Sequence, residues 1–189
     1  IGFFILLSPL VYLWLGDEWM LSNGVIALIL IDYYFKGDRI VLSNFKTAAG
    51  VFEQDKYLAL IQGAVNLVIS IVLVQSMGLA GVYIGTIVSG LIANVTKPFI
   101  IYKTCFDKDV KEYFVETVKH FLIIIIALST IFPISSVILK NITIFSFILS
   151  IIFVIIFYDI IFVIMYYKND EFKYLYKILK SRLFFNSYK

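Results

Sequence analysis

The residues able to do chemistry near the apolar runs are few, and one group of them is Asp32, Lys36, Asp38 and Arg39. Asp32 and Lys36 stand four apart, so on a helix they share a face and can pair. Two readings stay open: the group anchors a helix end at a membrane interface, or Lys36 and Arg39 line a polar cavity and meet an anionic ligand. Asp159 is a lone carboxylate in an apolar run, eight residues before Tyr167 and so about 12 Å inside that end of a helix. At such depth a carboxylate must face protein or water. It is a candidate for ion or proton coupling, or a hydrogen-bonded structural acid. Asn66 lies within another apolar run, where an amide either bonds across helices or contacts a transported head group. His120 and Cys105 are single residues of their types, which excludes an imidazole cluster, a cysteine-based metal site and an intrachain disulfide. No phosphate loop, nucleophile elbow or zinc spacing occurs. The chain is therefore expected to be neither an enzyme nor a holder of a cofactor or metal.

The elements that must position these groups follow from composition. The 189 residues are 61% apolar and 15% charged, where soluble domains run at about 45–50% and about 25%. A soluble fold of this length could not bury so much hydrocarbon. That excludes a soluble enzyme and a soluble nucleic-acid binder, and no nucleic-acid partner is expected. Aromatic residues at 17% argue against disorder. The fold class expected is all-α, a polytopic membrane helix bundle whose partner is the lipid bilayer. Six apolar runs can be read, at 1–15, 20–35, 57–74, 79–102, 117–139 and 142–167, with a cytoplasmic amphipathic tail at 168–189. The first run spans roughly 22 Å as a helix, short of the bilayer core of about 30 Å. It is expected to be truncated, and the chain to be the C-terminal part of a longer protein.

Orientation follows from Lys and Arg in the connections. Lys36, Arg39, Lys46 and Lys56 fall in the second connection, Lys103, Lys108, Lys111 and Lys119 in the fourth, and Lys168, Lys173, Lys177, Lys180, Arg182 and Lys189 in the tail. The first and third connections have none, and the fifth has Lys140 alone. Basic and non-basic connections alternate, which predicts a multi-pass protein with a cytoplasmic C-terminus. In the tail, Phe172, Leu175, Ile178, Leu179 and Leu183 recur at helical spacing opposite Lys173, Lys177 and Lys180. Such a helix lies along an anionic leaflet.

Gly81, Gly85, Ser89 and Ala93 place a small residue at every fourth position of one run. This stripe is expected to pack a neighbouring helix, the preceding run being the nearest partner in sequence, although a substrate-lining role is the alternative. Gly63, Asn66 and Ser70 lie near one face of that preceding run.

The stretch from Asn44 to Phe106 resembles a family. Residues 45–57 look like a cytoplasmic loop, Asn66-Leu67 with Ser70 and Leu73-Val74 like a following helix, and Gly78, Gly81-Val82 and Gly85-Thr86 like the turn and helix after it. Lys97-Pro98, Tyr102-Lys103, Phe106 and the outer turn at Trp14-Leu15-Gly16 complete the pattern. It is similar to bacterial polysaccharide flippases of the Wzx type, within the multidrug/oligosaccharidyl-lipid/polysaccharide exporter superfamily. The likeness covers roughly residues 10–106; the last two runs agree in hydropathy alone. The resemblance implies two helical lobes around a central cavity in the bacterial cytoplasmic membrane. It implies a lipid-linked oligosaccharide on undecaprenyl diphosphate as cargo, and an N-terminal lobe of the same protein as partner. Asp32, Lys36, Arg39 and Asn66 are then candidates for the substrate path. A membrane glycan polymerase or transferase, and a drug or ion antiporter of the same superfamily, are the rival functions.

Overall fold

Two hydroxyl residues start two of the helices. Ser22 accepts a hydrogen bond from the Val25 amide at 3.4 Å, and Thr143 and Ser146 cap each other reciprocally. In the computed structural model, which describes residues 1–53 and 56–185, the elements are α-helical and no strand occurs among the described residues. In chain order they are α1 (Gly2–Leu15), a short 3-10 turn (Asp17–Trp19), α2 (Asn23–Ala48), α3 (Lys56–Met77), α4 (Leu79–Ile101), a π-helical turn (Tyr102–Phe106), α5 (Lys111–Ile138), α6 (Ile144–Tyr166) and α7 (Asp170–Phe185).

Four helices are long and apolar enough to cross a bilayer: α3, α4 with the turn that follows it, α5 and α6. These mark a membrane protein. Two of the six expected spans fall outside that group for different reasons. α1 has 14 residues, about 21 Å of rise. α2 is long enough at 26 residues, but Asp32, Lys36, Asp38 and Arg39 interrupt its apolar character.

α2 also departs from the expected boundary. The charges after Phe35 read as the start of a connection, yet the helix runs on to Ala48, so that Lys36 and Arg39 lie inside it. Lys46 and Lys56 remain as the basic residues flanking the shortened link. At the other end of α3 the turn is almost nothing. Gly78, at φ +56°, is the single residue between α3 and α4. A side chain there would strain the backbone, which is the physical need for glycine.

The chain forms two compact units, residues 1–9 with 123–189, and residues 10–122. In the first, Ile5, Ala127, Ile131 and Val154 form the buried apolar cluster, and Phe4 meets Phe132 at 5.6 Å between ring centroids. In the second, α4 is the central element, packed against both α2 and α3. Its buried positions, including Gly81, Gly85, Ser89, Gly90, Ala93 and Asn94, recur at helical spacing.

Candidate functional site

Asp32, Lys36 and Arg39 come together where α2 packs on α4. The Asp32 carboxylate, with its side chain 5% exposed, accepts a hydrogen bond from Lys36 Nζ at 2.6 Å, while the Lys36 side chain is 51% exposed. A buried carboxylate is tolerable when a cation sits on it, and this one has its cation on the open side. Arg39 is half-buried. Its Nε donates to the Phe35 carbonyl at 3.2 Å and its Nη1 to the Gly90 carbonyl of α4 at 3.3 Å. Gly90 has no side chain to cover its carbonyl, and a Cβ there would lie 3.6 Å from Arg39 Nη2.

The Gly90 contact sets the depth of the group. Gly90 is eleven residues from each end of α4, so Arg39 docks about 16 Å along the helix from either end. That is the middle of α4, while Asp38, the residue before Arg39, bonds to the first turn of α5. α2 does not stop at Phe35, so Lys36 and Arg39 lie inside the helix and not in a connection. Ionisable side chains at mid-span mark functional sites by default, since hydrocarbon would not hold them.

Two further groups join this cluster. Tyr113, in the first turn of α5, donates its hydroxyl to the Asp38 carboxylate at 2.5 Å. One turn beyond Gly90, the buried Asn94 has a side-chain oxygen with no hydrogen-bond partner. Tyr113 lies 75 residues from Asp38, a separation that leaves no local signal. Asn94 has one, since it directly follows Ala93, the last of the small residues at every fourth position.

Asn66 points elsewhere. Its side-chain amide donates to Thr86 Oγ1 and Ser89 Oγ of α4, both at 3.2 Å, and its oxygen accepts from Ser70 Oγ at 3.2 Å. Gln62 adds a bond to the Ser89 carbonyl at 3.3 Å. These bonds form a polar seam between α3 and α4, separate from the α2 cations. The small residues make the seam possible. A Cβ on Gly81 would lie 2.5 Å from the Leu73 carbonyl carbon, and one on Gly85 would strike Ser70 Oγ and lie 2.9 Å from the Ser70 nitrogen. Ala93 is fully buried on the same helix.

Asp159 is not part of either group. It lies on α6, in the other unit, and is exposed. Among the described residues no group of three or more His, Cys, Asp or Glu could hold a metal ion. Chemically, the α2–α4 cluster offers one ammonium and part of one guanidinium to an anion, with a carboxylate that holds the ammonium in place. No family model, curated protein or solved structure matches the chain.

Proposed function

We propose that the chain is part of a transporter that flips undecaprenyl-diphosphate-linked oligosaccharide across the bacterial cytoplasmic membrane for surface polysaccharide assembly. In this reading α1 and α2 complete a set of six membrane helices, the C-terminus is cytoplasmic, and an N-terminal lobe of the same protein encloses the other side of the path. The observation that carries the reading is the Arg39 bond to the Gly90 carbonyl of α4, with Lys36 held by the buried Asp32 carboxylate one turn earlier on the same helix. The resemblance at residues 44–106 supports the choice of cargo.

A diphosphate carried through hydrocarbon needs fixed cations, because an unpaired buried anion is prohibitive. Lys36 is the group available to it, since its ammonium is open to one side and needs to release one carboxylate oxygen. Arg39 combines a partial charge role with a structural one, tying α2 to the Gly90 carbonyl. The Asn66 seam holds α3 to α4 and takes no part in binding.

The test is surface polysaccharide in cells carrying the full-length protein. Lys36→Ala with Arg39→Ala, made together with Asp32→Asn so that no buried carboxylate is left unpaired, should lower surface polysaccharide per molecule of protein in the membrane. Lys36→Ala with Asp32→Asn should do most of this, because it leaves the Arg39 bond to Gly90 in place. Lys173→Ala with Lys177→Ala in the tail should leave export intact. Equal loss from the α2 variants and the tail pair would reduce the effect to general surface charge. Full export by the Lys36/Arg39 variant would end the reading.

A further inference from the structure

α6 has one charged residue in 23, and it faces away from the helix's own packing partners. Ser146, Ser150 and Val154 are the buried positions of α6, and Ile161 continues that line toward the apolar cluster. Asp159 is five residues beyond Val154, which turns it about 140° around the helix. Its neighbours on that side, Ile152, Ile155, Ile156 and Val163, are exposed apolar side chains, and Phe162 at the edge of the face meets Phe172 of α7 at 6.2 Å between ring centroids. Among the described residues no side chain pairs with the Asp159 carboxylate. It lies seven residues before Tyr166, the last residue of α6, roughly 10 Å within the span. A lipid-facing surface of this depth does not keep a carboxylate.

We propose that the Asp159 face of α6 is the docking surface for a further transmembrane segment carrying Lys or Arg at the same depth. The source to which we assign that segment, the other lobe of the same polypeptide, rests on the transporter reading above. Charge complementarity selects the occupant. A second copy of α6 would bring Asp159 against a like charge across a two-fold axis, and α6 contains no Lys or Arg to offset it. A cation from a different helix satisfies the carboxylate, and the surrounding isoleucines supply the apolar contact that fixes the two helices side by side.

The experiment is thermal unfolding of the full-length protein in nanodiscs, comparing wild type with Asp159→Leu and Asp159→Glu. Docking on a cation predicts that Asp159→Leu lowers the apparent Tm by about 10 °C, because it strands a buried charge. Asp159→Glu, which retains the charge, should lose less than half of that. A rise in Tm for Asp159→Leu would mean a lipid-facing carboxylate, and an unchanged Tm a water-lined one; both overturn the proposal. If Asp159→Leu yields no protein, second-site suppressors answer instead: neutralisation of a Lys or Arg in another transmembrane segment should restore its level, and their absence overturns the proposal. A photo-cross-linking residue in place of Ile156 identifies the source, and a cross-link to a different polypeptide would overturn that assignment. The Tm is independent of transport. Loss of Tm by Asp159→Leu in a protein whose deletion leaves surface polysaccharide unchanged would refute the transporter reading and leave the docking surface standing.

Discussion

Gly81→Ala adds one methyl group where α3 and α4 touch through their backbones. The new Cβ would lie 2.5 Å from both the Leu73 carbonyl carbon and oxygen and 2.8 Å from the Val74 nitrogen, whereas ordinary contact begins at 3.4 Å. Neither atom is a flexible side-chain end, so the helices must part by about 0.9 Å, the difference between those two distances. A gap of about 0.5–1 Å forfeits a quarter to a half of the dispersion attraction along the contact. Overpacking of this kind costs about 1–3 kcal/mol. The Ser70 bond to the Val82 carbonyl, already 3.4 Å long, would be lost for about 0.6 kcal/mol more. Against this stands a gain of up to about 1 kcal/mol in helix propensity. The net loss is roughly 0.6–2.6 kcal/mol with that gain in full. Gly63→Ala on α3 is the matched control, since a Cβ there meets nothing within 4 Å, and it should gain up to about 1 kcal/mol. Equilibrium unfolding of both variants in bicelles would give a gap of roughly 2–3 kcal/mol between two chemically identical substitutions. Equal stability for the two variants would refute the close approach of α3 and α4 at Gly81. Gly85→Leu, with a larger side chain against Ser70, should fail to accumulate in membranes.

In a Cys105→Ser background, Ser76→Cys should react with an impermeant thiol reagent added to intact cells, and Lys108→Cys should not; the opposite pattern reverses the orientation. Asn66→Leu removes the bonds to Thr86 and Ser89 and should destabilise the α3–α4 pair by about 0.6 kcal/mol per bond in bicelle unfolding. Lys173→Ala and Lys177→Ala should each weaken partitioning onto anionic vesicles by about five-fold, from about 1 kcal/mol per basic residue, as read by vesicle sedimentation. The Lys173 ammonium donates to Asp170 at 2.8 Å and holds that carboxyl below its ordinary 3.8. Its support of the first turn of α7 is therefore complete above 3.8 and fades as the pH falls through the lower folded value. The amide protection factors in that turn, taken relative to the intrinsic exchange rate at each pH, should fall over this acidic window in the wild type, and Asp170→Asn should make them independent of pH there.

Local pattern was enough for the helices whose faces are decided by their own residues. The tail from Asp170 alternates lysines with apolar positions, and α7 begins there. Gly78, followed by small residues at 81 and 85, announces a tight turn and a close helix pair, because both are properties of residues a few positions apart. α2 lies beyond local pattern for the opposite reason. Asp32, Lys36, Asp38 and Arg39 look like the end of a membrane run when their partners are unseen. The carbonyl of Gly90 and the hydroxyl of Tyr113 are those partners, and they lie 51 residues from Arg39 and 75 from Asp38. Hydropathy gave the depth of Asp159 but not its face, since apolar residues surround α6 on all sides and no amphipathic stripe shows which way it turns.

The lateness of Gly90 sets a condition on how the chain enters the membrane. α2 leaves the ribosome with two aspartates, a lysine and an arginine near its centre, and the carbonyl that receives Arg39 follows 51 residues behind. At about 5–20 residues per second, that interval is about 3–10 seconds of synthesis. During it α2 has a weak claim to the hydrocarbon by itself, because each central charge opposes insertion by about 2.5–3.5 kcal/mol. α3 and α4, joined through one glycine, are available as a prepaired hairpin once both have emerged. Retention of α2 is thus a late step, waiting on a helix synthesised after it. In ribosome-arrested chains ending before α4, a cysteine placed in the middle of α2 should react with a water-soluble thiol reagent, and in chains extended past residue 106 it should be protected.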